Sequence, residues 1–491
     1  MSYVIGIDVG TTNIKALVID QSGQTVAFAK RNSPFQDFNG HDAYEYHSFW
    51  ENICQLLRET IANMQKQGAS PKDLRGIAVA SMGEMGFPVG SKDAVFPAIS
   101  WYDLCSTKYW EELCDKISQE RQVDITGQKI IHIFSIAKLM WLKAEYPHIY
   151  DEMATWLCIA DYVSFKLCGS RCMERSLAAR TGLLDYKTGT WSEEILQIAG
   201  IDEEKMPRLV HGGAYLGAIT DQAADDTGLP PGTPVFAGGH DHICASFATG
   251  VWEPGTIMDS SGTTEVVVRT EAQRENTLTA GQKGFNIGPH VRLDHYYIMG
   301  GISAAGVSVD WYRKEFYGGS PQHTEIGSLI YLPHLRGSSS PTRDPRSKGA
   351  FLGITDRHGN SDFLQAIYEG VAFELKQTID GMGKYPKKII GVGGGYQNDR
   401  WTQIKADVMQ TEIELPSIKE ATALGAALLA GVGSGMFPTP EDAFHNTFRI
   451  EKRFVPNFKY QKYYEEKYRI FQSLYSTLID VNNGLSTLNA Y

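Results

Sequence analysis

Tyr3-Val4-Ile5-Gly6-Ile7-Asp8 runs through Val9 into Gly10-Thr11-Thr12, and Ile14-Lys15-Ala16-Leu17-Val18-Ile19 follows after one residue. Both flanks are rich in β-branched residues and the centre is made of turn formers, so residues 3–19 read as a β-hairpin. Its turn offers backbone amides and two hydroxyls, with the Asp8 carboxylate at the edge. Such amides and hydroxyls accept phosphate oxygens, and a carboxylate there can hold Mg2+ directly or through water. An ordinary hairpin turn fits the same letters, so the hairpin alone decides nothing.

A second copy of the pattern shifts the balance. Ile257-Met258-Asp259-Ser260-Ser261 leads into Gly262-Thr263-Thr264 and then Glu265-Val266-Val267-Val268. Strand, Gly-Thr-Thr turn and strand recur, which predicts two similarly built lobes joined near residue 250. A cleft between such lobes is a natural nucleotide site.

The chain is 491 residues long, too long for one core, and its 42% hydrophobic and 21% charged residues are ordinary for a globular protein. Net charge is −11, which disfavours nucleic acid or an anionic membrane as a partner. An anionic ligand must then be held locally, by amides, helix N-termini and a metal ion. The 49 glycines cluster in short runs beside apolar strands, where backbone can approach a ligand closely. Seven cysteines without CxxC spacing imply neither a disulfide framework nor a zinc site, and a cytoplasmic location fits. The charge-free stretch 421–440 carries four glycines and ends in prolines, so it predicts a buried helix of roughly a dozen residues and a turn rather than a membrane span.

Three further segments carry chemistry. Gly76 to Ala80 reads as a buried strand delivering Ser81-Met82-Gly83-Glu84-Met85-Gly86 at its C-terminal end, where open α/β sheets place ligand groups. Gly238-Gly239-His240-Asp241-His242 opens a helix of small residues. There Asp241 is either an N-cap or a base for an attacking hydroxyl. The strand ending at Val392 runs into Gly393-Gly394-Gly395 and, after Asn398 and Asp399, a helix. That places amides at a nucleotide, yet it is neither a Walker sequence nor G-x-G-x-x-G, so a dinucleotide-binding domain is disfavoured. Glu84, Met85, Trp101 and Asp103 are the candidate sugar contacts: carboxylates accept paired hydroxyls and aromatic faces cover C–H patches. Trp101 reads equally well as a half-buried core aromatic.

Taken in order, these segments resemble the FGGY family of carbohydrate kinases, relatives of the actin, Hsp70 and hexokinase fold. The resemblance spans nearly the whole chain and adds Lys138 to Leu142, Arg180 to Asp185, and Gly349 to Ile354 with Asp362 to Glu369. It implies an α/β fold of two actin/hexokinase-like (ribonuclease H-like) lobes with an interdomain nucleotide cleft. Residues 1–248 would bind sugar and carry the base, and 249–491 would bind ATP. It implies ATP-dependent, in-line phosphorylation of a ketose, a pentulose such as xylulose first, or of a polyol. Asp241 would be the general base and Asp8 the organiser of Mg2+. Gly10, Thr11, Thr12 and Lys15 would face the phosphates. Gly262, Thr263, Gly306, Gly394, Gly395, Asn398 and Asp399 would line the ATP side, with Glu84, Met85, Trp101, Asp103 and His242 on the sugar side.

Departures gather at the sugar side. Xylulokinase-like members carry Gln-Met-His-Gly where this chain has Gly83-Glu84-Met85-Gly86, and Asp-Asn where it has Asp241-His242. Their Trp-x-Asp-x-Arg ends here in Cys105, and the Arg-Glu pair that glycerol kinases carry near Glu84 is missing. A non-catalytic sugar or nucleotide sensor on the same fold is the rival reading, although it needs neither Asp8 nor Asp241. A chaperone-like or actin-like ATPase is a third. A homodimer is the default expectation for the assembly.

Overall fold

The computed structural model describes residues 1–316 and 327–488. The hairpin of residues 3–19 sits at the centre of a six-stranded sheet. Its strands are β1 (Tyr3–Val9), β2 (Asn13–Asp20), β3 (Thr25–Asn32), β4 (Leu74–Ser81), β5 (Tyr215–Ala218) and β6 (Pro234–His240), in the order β5-β6-β4-β1-β2-β3. β1 is buried along its length except at Asp8, as a central strand covered on both faces should be.

A second sheet holds β7 (Thr256–Ser261), β8 (Glu265–Glu271), β9 (Asn286–Pro289), β10 (Tyr296–Ile302), β11 (Lys388–Val392), β12 (Glu412–Pro416) and β13 (Ile450–Phe454), in the order β9-β10-β8-β7-β11-β12-β13. Strand for strand it repeats the first. β1 pairs antiparallel with β2 and parallel with β4, and β4 is parallel to β6. β7 likewise pairs antiparallel with β8 and parallel with β11, and β11 is parallel to β12. Both sheets close on antiparallel outer pairs, β2–β3 with β5–β6 and β8–β10 with β12–β13. The Gly-Thr-Thr echo therefore marks a duplicated architecture, with β9 added at one edge.

Helix α1 (Tyr46–Lys66) crosses β2 and β3, burying Phe49, Ile53, Leu56, Leu57 and Ile61 at helical spacing. Glu45 caps it, accepting from the amides of His47 at 3.1 Å and Ser48 at 2.8 Å. Between the sheets lie α2 (Asp241–Ala248) and, after α3 (Asn360–Gly381) and α4 (Asp399–Met409), α5 (Ala421–Gly433). One hydrophobic cluster joins residues of both sheets to α2 and α5. The 13-residue α5 is the charge-free stretch, and it packs backbone against backbone. A Cβ at Gly6 would lie 1.9 Å from the Ala423 carbonyl oxygen, and one at Gly425 would lie 1.9 Å from that of Cys244. Only glycine permits these approaches. No helix among the described residues is long and apolar enough to cross a membrane.

Residues 82–214 form an insertion between β4 and β5. Its far end reaches the second lobe: the Ile287 amide donates to the Gly127 carbonyl at 2.8 Å, and Gln128 Nε2 donates to the Ile287 carbonyl at 2.7 Å. The lobes thus touch at α2–α5 and again at this edge, with a cleft between. Residues 168–234 hold helices at Arg175–Ala179, Glu193–Ala199 and Asp221–Thr227 and a strand pair, Cys172–Glu174 with Arg208–Val210.

Candidate active site

Four chain segments converge on the cleft: the turn after β1, the loop after β4, the start of α2 and the turn after β7. They enclose a cavity of 370 Å³ whose walls include Thr11, Glu84, Trp101, Asp241 and His242 from one lobe and Thr264 from the other.

Asp8 ends the buried run of β1 with its side chain 13% exposed. Lys15 Nζ stands 4.0 Å from its carboxylate but is bonded at 2.5 Å to Glu420, at the head of α5. Burial pushes the Asp8 carboxyl up to about 7; Lys15 opposes the rise, while Asp241 and Glu420 add to it. Three carboxylates share this corner with the one Lys15 ammonium. The corner is short of positive charge, and a hard divalent cation with oxygen ligands fits it.

Asp241 is the first residue of α2 rather than its cap, a position held by His240. Its Oδ1 accepts the His242 amide at 2.6 Å, and the side chain is 25% exposed to the cleft. Burial raises its carboxyl, but His242, His240, the amide and Arg180 outweigh this and hold it below the usual carboxylate range. Asp241 is therefore an ionised acceptor facing the cavity. His240 is buried, and burial pushes its imidazole down to about 4, so it is neutral around pH 7. Its Nδ1 lies 3.3 Å from Asp241 Oδ1 and has no hydrogen-bond partner.

On the opposite wall Glu84 meets Arg180, whose Nε donates to Oε1 at 2.8 Å and whose Nη2 donates to the same oxygen. Nη1 donates to Gln128 Oε1 at 2.8 Å. Burial raises the Glu84 carboxyl, but Arg180 and His240 prevail and keep it below its ordinary range. The half-buried Trp101 donates its Nε1–H to Thr11 Oγ1 at 3.2 Å, linking this wall to the Gly10–Thr12 turn. His242 lines the cavity beside Asp241. Met85 points into the core, fully buried, and Met82 stands at the wall instead. Asp103 does not line the cavity, and its Oδ1 lies 3.1 Å from His41 Nδ1.

On the nucleotide side, the glycines pack onto the second hairpin. Gly10 and Gly262 open matching turns, their amides donating to Asn13 at 3.1 Å and Thr264 at 2.8 Å. A Cβ at Gly306 would come within 2.3 Å of the Gly262 carbonyl oxygen, with Thr263 beside it. Gly393 adopts φ 93°, open to glycine alone at little cost, and Gly395 lies against Ser261, whereas nothing stands within 4 Å of a Cβ built on Gly394. Beneath this loop Lys405 is buried, bonded to Glu265 at 2.8 Å and Asp259 at 3.2 Å. Asn398 caps α4 through the Trp401 amide at 3.2 Å and donates to Tyr368 at 2.9 Å. Asp399 is exposed and paired with Lys452 at 2.9 Å. Thr12 is exposed at the turn, its carbonyl accepting the Ser33 amide at 3.1 Å.

Sequence reasoning missed Arg180, Gln128 and His240 as parts of this wall. One signal was present. Arg180 closes the apolar run Leu177-Ala178-Ala179 and Glu84 follows a buried strand, and buried opposite charges must find each other.

Residues 3–248 match the FGGY family of carbohydrate kinases, N-terminal domain, and residues 258–434 match its C-terminal domain. A xylulose kinase of Bacillus subtilis (strain 168) is 30% identical over 507 residues, covering 99% of each chain. The crystal structure of xylulose kinase from Rhodospirillum rubrum superposes with a TM-score of 0.89 at 25% identity, over 98% of this chain and 100% of that one. The ligand bound xylulose kinase from Lactobacillus acidophilus gives 0.90 at 23% identity, over 99% and 100%.

Proposed function

The chain belongs to the FGGY family of carbohydrate kinases, and from that premise we propose that this ATP-dependent sugar kinase acts on a ketose, a pentulose such as xylulose first, with polyols as the alternative acceptors. The observation that carries the reading is the placing of two carboxylates of opposite character in one corner. Asp241, ionised, faces the cavity, while Asp8 flanks the Gly10–Thr12 turn in a corner short of positive charge. The xylulose kinase relatives support the choice of pentulose.

In this reading the acceptor lies between Glu84, Trp101 and His242, which fix its hydroxyls. Asp241 takes the proton of the attacking hydroxyl as its oxygen bonds to the γ-phosphorus and the bond to the ADP oxygen breaks. Asp8 would hold Mg2+, whose charge would offset that of the phosphates. The amides and hydroxyls of Gly10, Thr11 and Thr12 orient the phosphates, with Gly262, Thr263, Gly306 and Gly393 to Gly395 on the ATP side. Residues 1–248 serve acceptor and base, and 249–491 serve the nucleotide.

Asp241→Asn tests the base. On a panel of pentuloses and polyols, kcat is expected to fall roughly 10²–10⁴-fold with thermal unfolding unchanged. Turnover near that of the parent enzyme would sink the assignment. Absence of sugar-stimulated ADP release across the panel would favour a sensor.

A further inference from the structure

We infer that His41, Asp103 and Cys105 form a site for one borderline divalent cation of the zinc class, beside the acceptor cavity and separate from the Mg2+ corner at Asp8. Among the described residues, these three offer an imidazole nitrogen, a carboxylate oxygen and a thiol sulfur that all lie within 4.8 Å of one another. No fragment of the kinase reading above requires the group.

The fold supplies the preorganisation. Asn39 and Gly40, at φ 53° and 86°, form a two-residue turn between paired Phe38 and His41, which fixes the hairpin tip that carries His41. That hairpin pairs in turn with residues 98–99, and the Ser100 amide donates to the Asp42 carbonyl at 2.8 Å. Asp103 and Cys105 follow within one tight turn, where the Cys105 amide donates to Asp103 Oδ1 at 2.8 Å. The His41 ring packs edge-on against Trp141, 5.9 Å between centroids.

The three donors stand at the spacing of ligands to one ion. His41 Nδ1 lies 3.1 and 3.2 Å from the two Asp103 oxygens, close to the spacing of ligands around one tetrahedral ion, about 3–4 Å. All three residues are partly buried, so the site is reachable yet shielded. Lys138 donates to the backbone carbonyls of Ile133 at 2.9 Å and Trp101 at 3.4 Å rather than to the Asp103 carboxylate. Nitrogen and sulfur donors select zinc-class ions over Mg2+, which prefers oxygen alone. Binding places a lone pair of His41 Nδ1, with the ring proton on Nε2, an Asp103 oxygen and the Cys105 thiolate on the ion, and the thiol proton leaves to solvent. A bound ion ties the hairpin to the segment carrying Trp101, whose indole reaches Thr11.

Cobalt titration of the full-length, chelator-stripped protein tests this directly, with zinc as competitor. One equivalent is expected to bind at roughly micromolar metal, giving a near-ultraviolet thiolate-to-cobalt band that zinc displaces. Cys105→Ser should abolish the band, His41→Gln should weaken binding at least ~10-fold, and Cys114→Ser should change neither. Thermal unfolding of each variant, without metal, shows that it is folded. Absence of binding, binding without the band, or a band that survives Cys105→Ser overturns the site. Each of these results leaves the kinase reading untouched, because that reading stands on Asp241 and turnover.

Discussion

Arg180 grips Glu84 with two donors on a single carboxylate oxygen, Nε at 2.8 Å, and sends its remaining arm to Gln128 at 2.8 Å. Both side chains are nearly buried, at 6% and 9% exposure. The pair is therefore charged atom by atom yet neutral as a unit. Arg180→Met leaves Glu84 buried and uncompensated, a loss of ~3–5 kcal/mol for a broken buried pair. A lowered urea midpoint together with a raised acceptor KM is expected. A variant as stable as the parent would show that the pair contributes nothing.

Trp101→Phe keeps the ring and removes the donor to Thr11 Oγ1. One neutral hydrogen bond is worth about 0.5–1.5 kcal/mol, so acceptor KM should rise about two- to tenfold. Steady-state kinetics on the best acceptor checks this, and an unchanged KM would show that the bond to Thr11 plays no part in acceptor binding.

Burial pushes the Glu174 carboxyl up to about 7, against the hydrogen bonds it accepts from Ser176 and Leu177. Asp161, whose carboxylate accepts the Glu174 amide at 3.2 Å, is likewise raised by burial. The folded state then holds a proton that the unfolded chain releases above its ordinary glutamate range. Stability should fall as pH rises from the unfolded value toward about 7 and level off beyond it. Glu174→Gln is expected to flatten that decline, leaving the parts due to Asp161, Asp8 and Glu265, each likewise raised by burial. Urea unfolding across the same pH window reads it, and an undiminished slope would exclude Glu174 as its source.

Gly425→Ala places a methyl 1.9 Å from the Cys244 carbonyl oxygen, between two helix backbones that have no room to part. A destabilisation of ~1–3 kcal/mol or more is expected, far beyond the gain alanine brings to an exposed helix. Calorimetry decides, and a raised melting temperature would contradict the packing.

Features that depend on neighbouring residues were legible in the sequence. The two Gly-Thr-Thr hairpins, the Ile53, Leu56, Leu57 and Ile61 face of α1 (though not Phe49, which is buried there in place of the half-buried Trp50) and the buried character of α5 follow from turn chemistry and periodicity, and the strand order bears out the echo between residues 7–12 and 259–264. Partnerships made at long range were not. Lys15 meets Glu420, 405 residues away, and Glu84 meets Arg180, 96 away, and no local pattern encodes either meeting. Phase was hidden too. β4 ends at Ser81, so alternation stops before Met82 and Met85, and nothing local decides which methionine turns toward the cavity. Asp103 reads as a sugar contact from its motif alone. The hairpin that supplies His41 is what draws it aside.

The approach of Gly6 to Ala423 bears on how this protein can be divided. The strand that opens the first lobe is roofed by a helix encoded more than four hundred residues later, so a fragment ending near residue 250 would bare an apolar sheet face. Such a fragment should aggregate unless the missing half is supplied in trans. Exchange of lobes between relatives faces the same constraint. A side chain at position 6 would meet the backbone of 423 and 427, which no exchange of side chains there can clear, so each half of the chain holds the other to a glycine at this point.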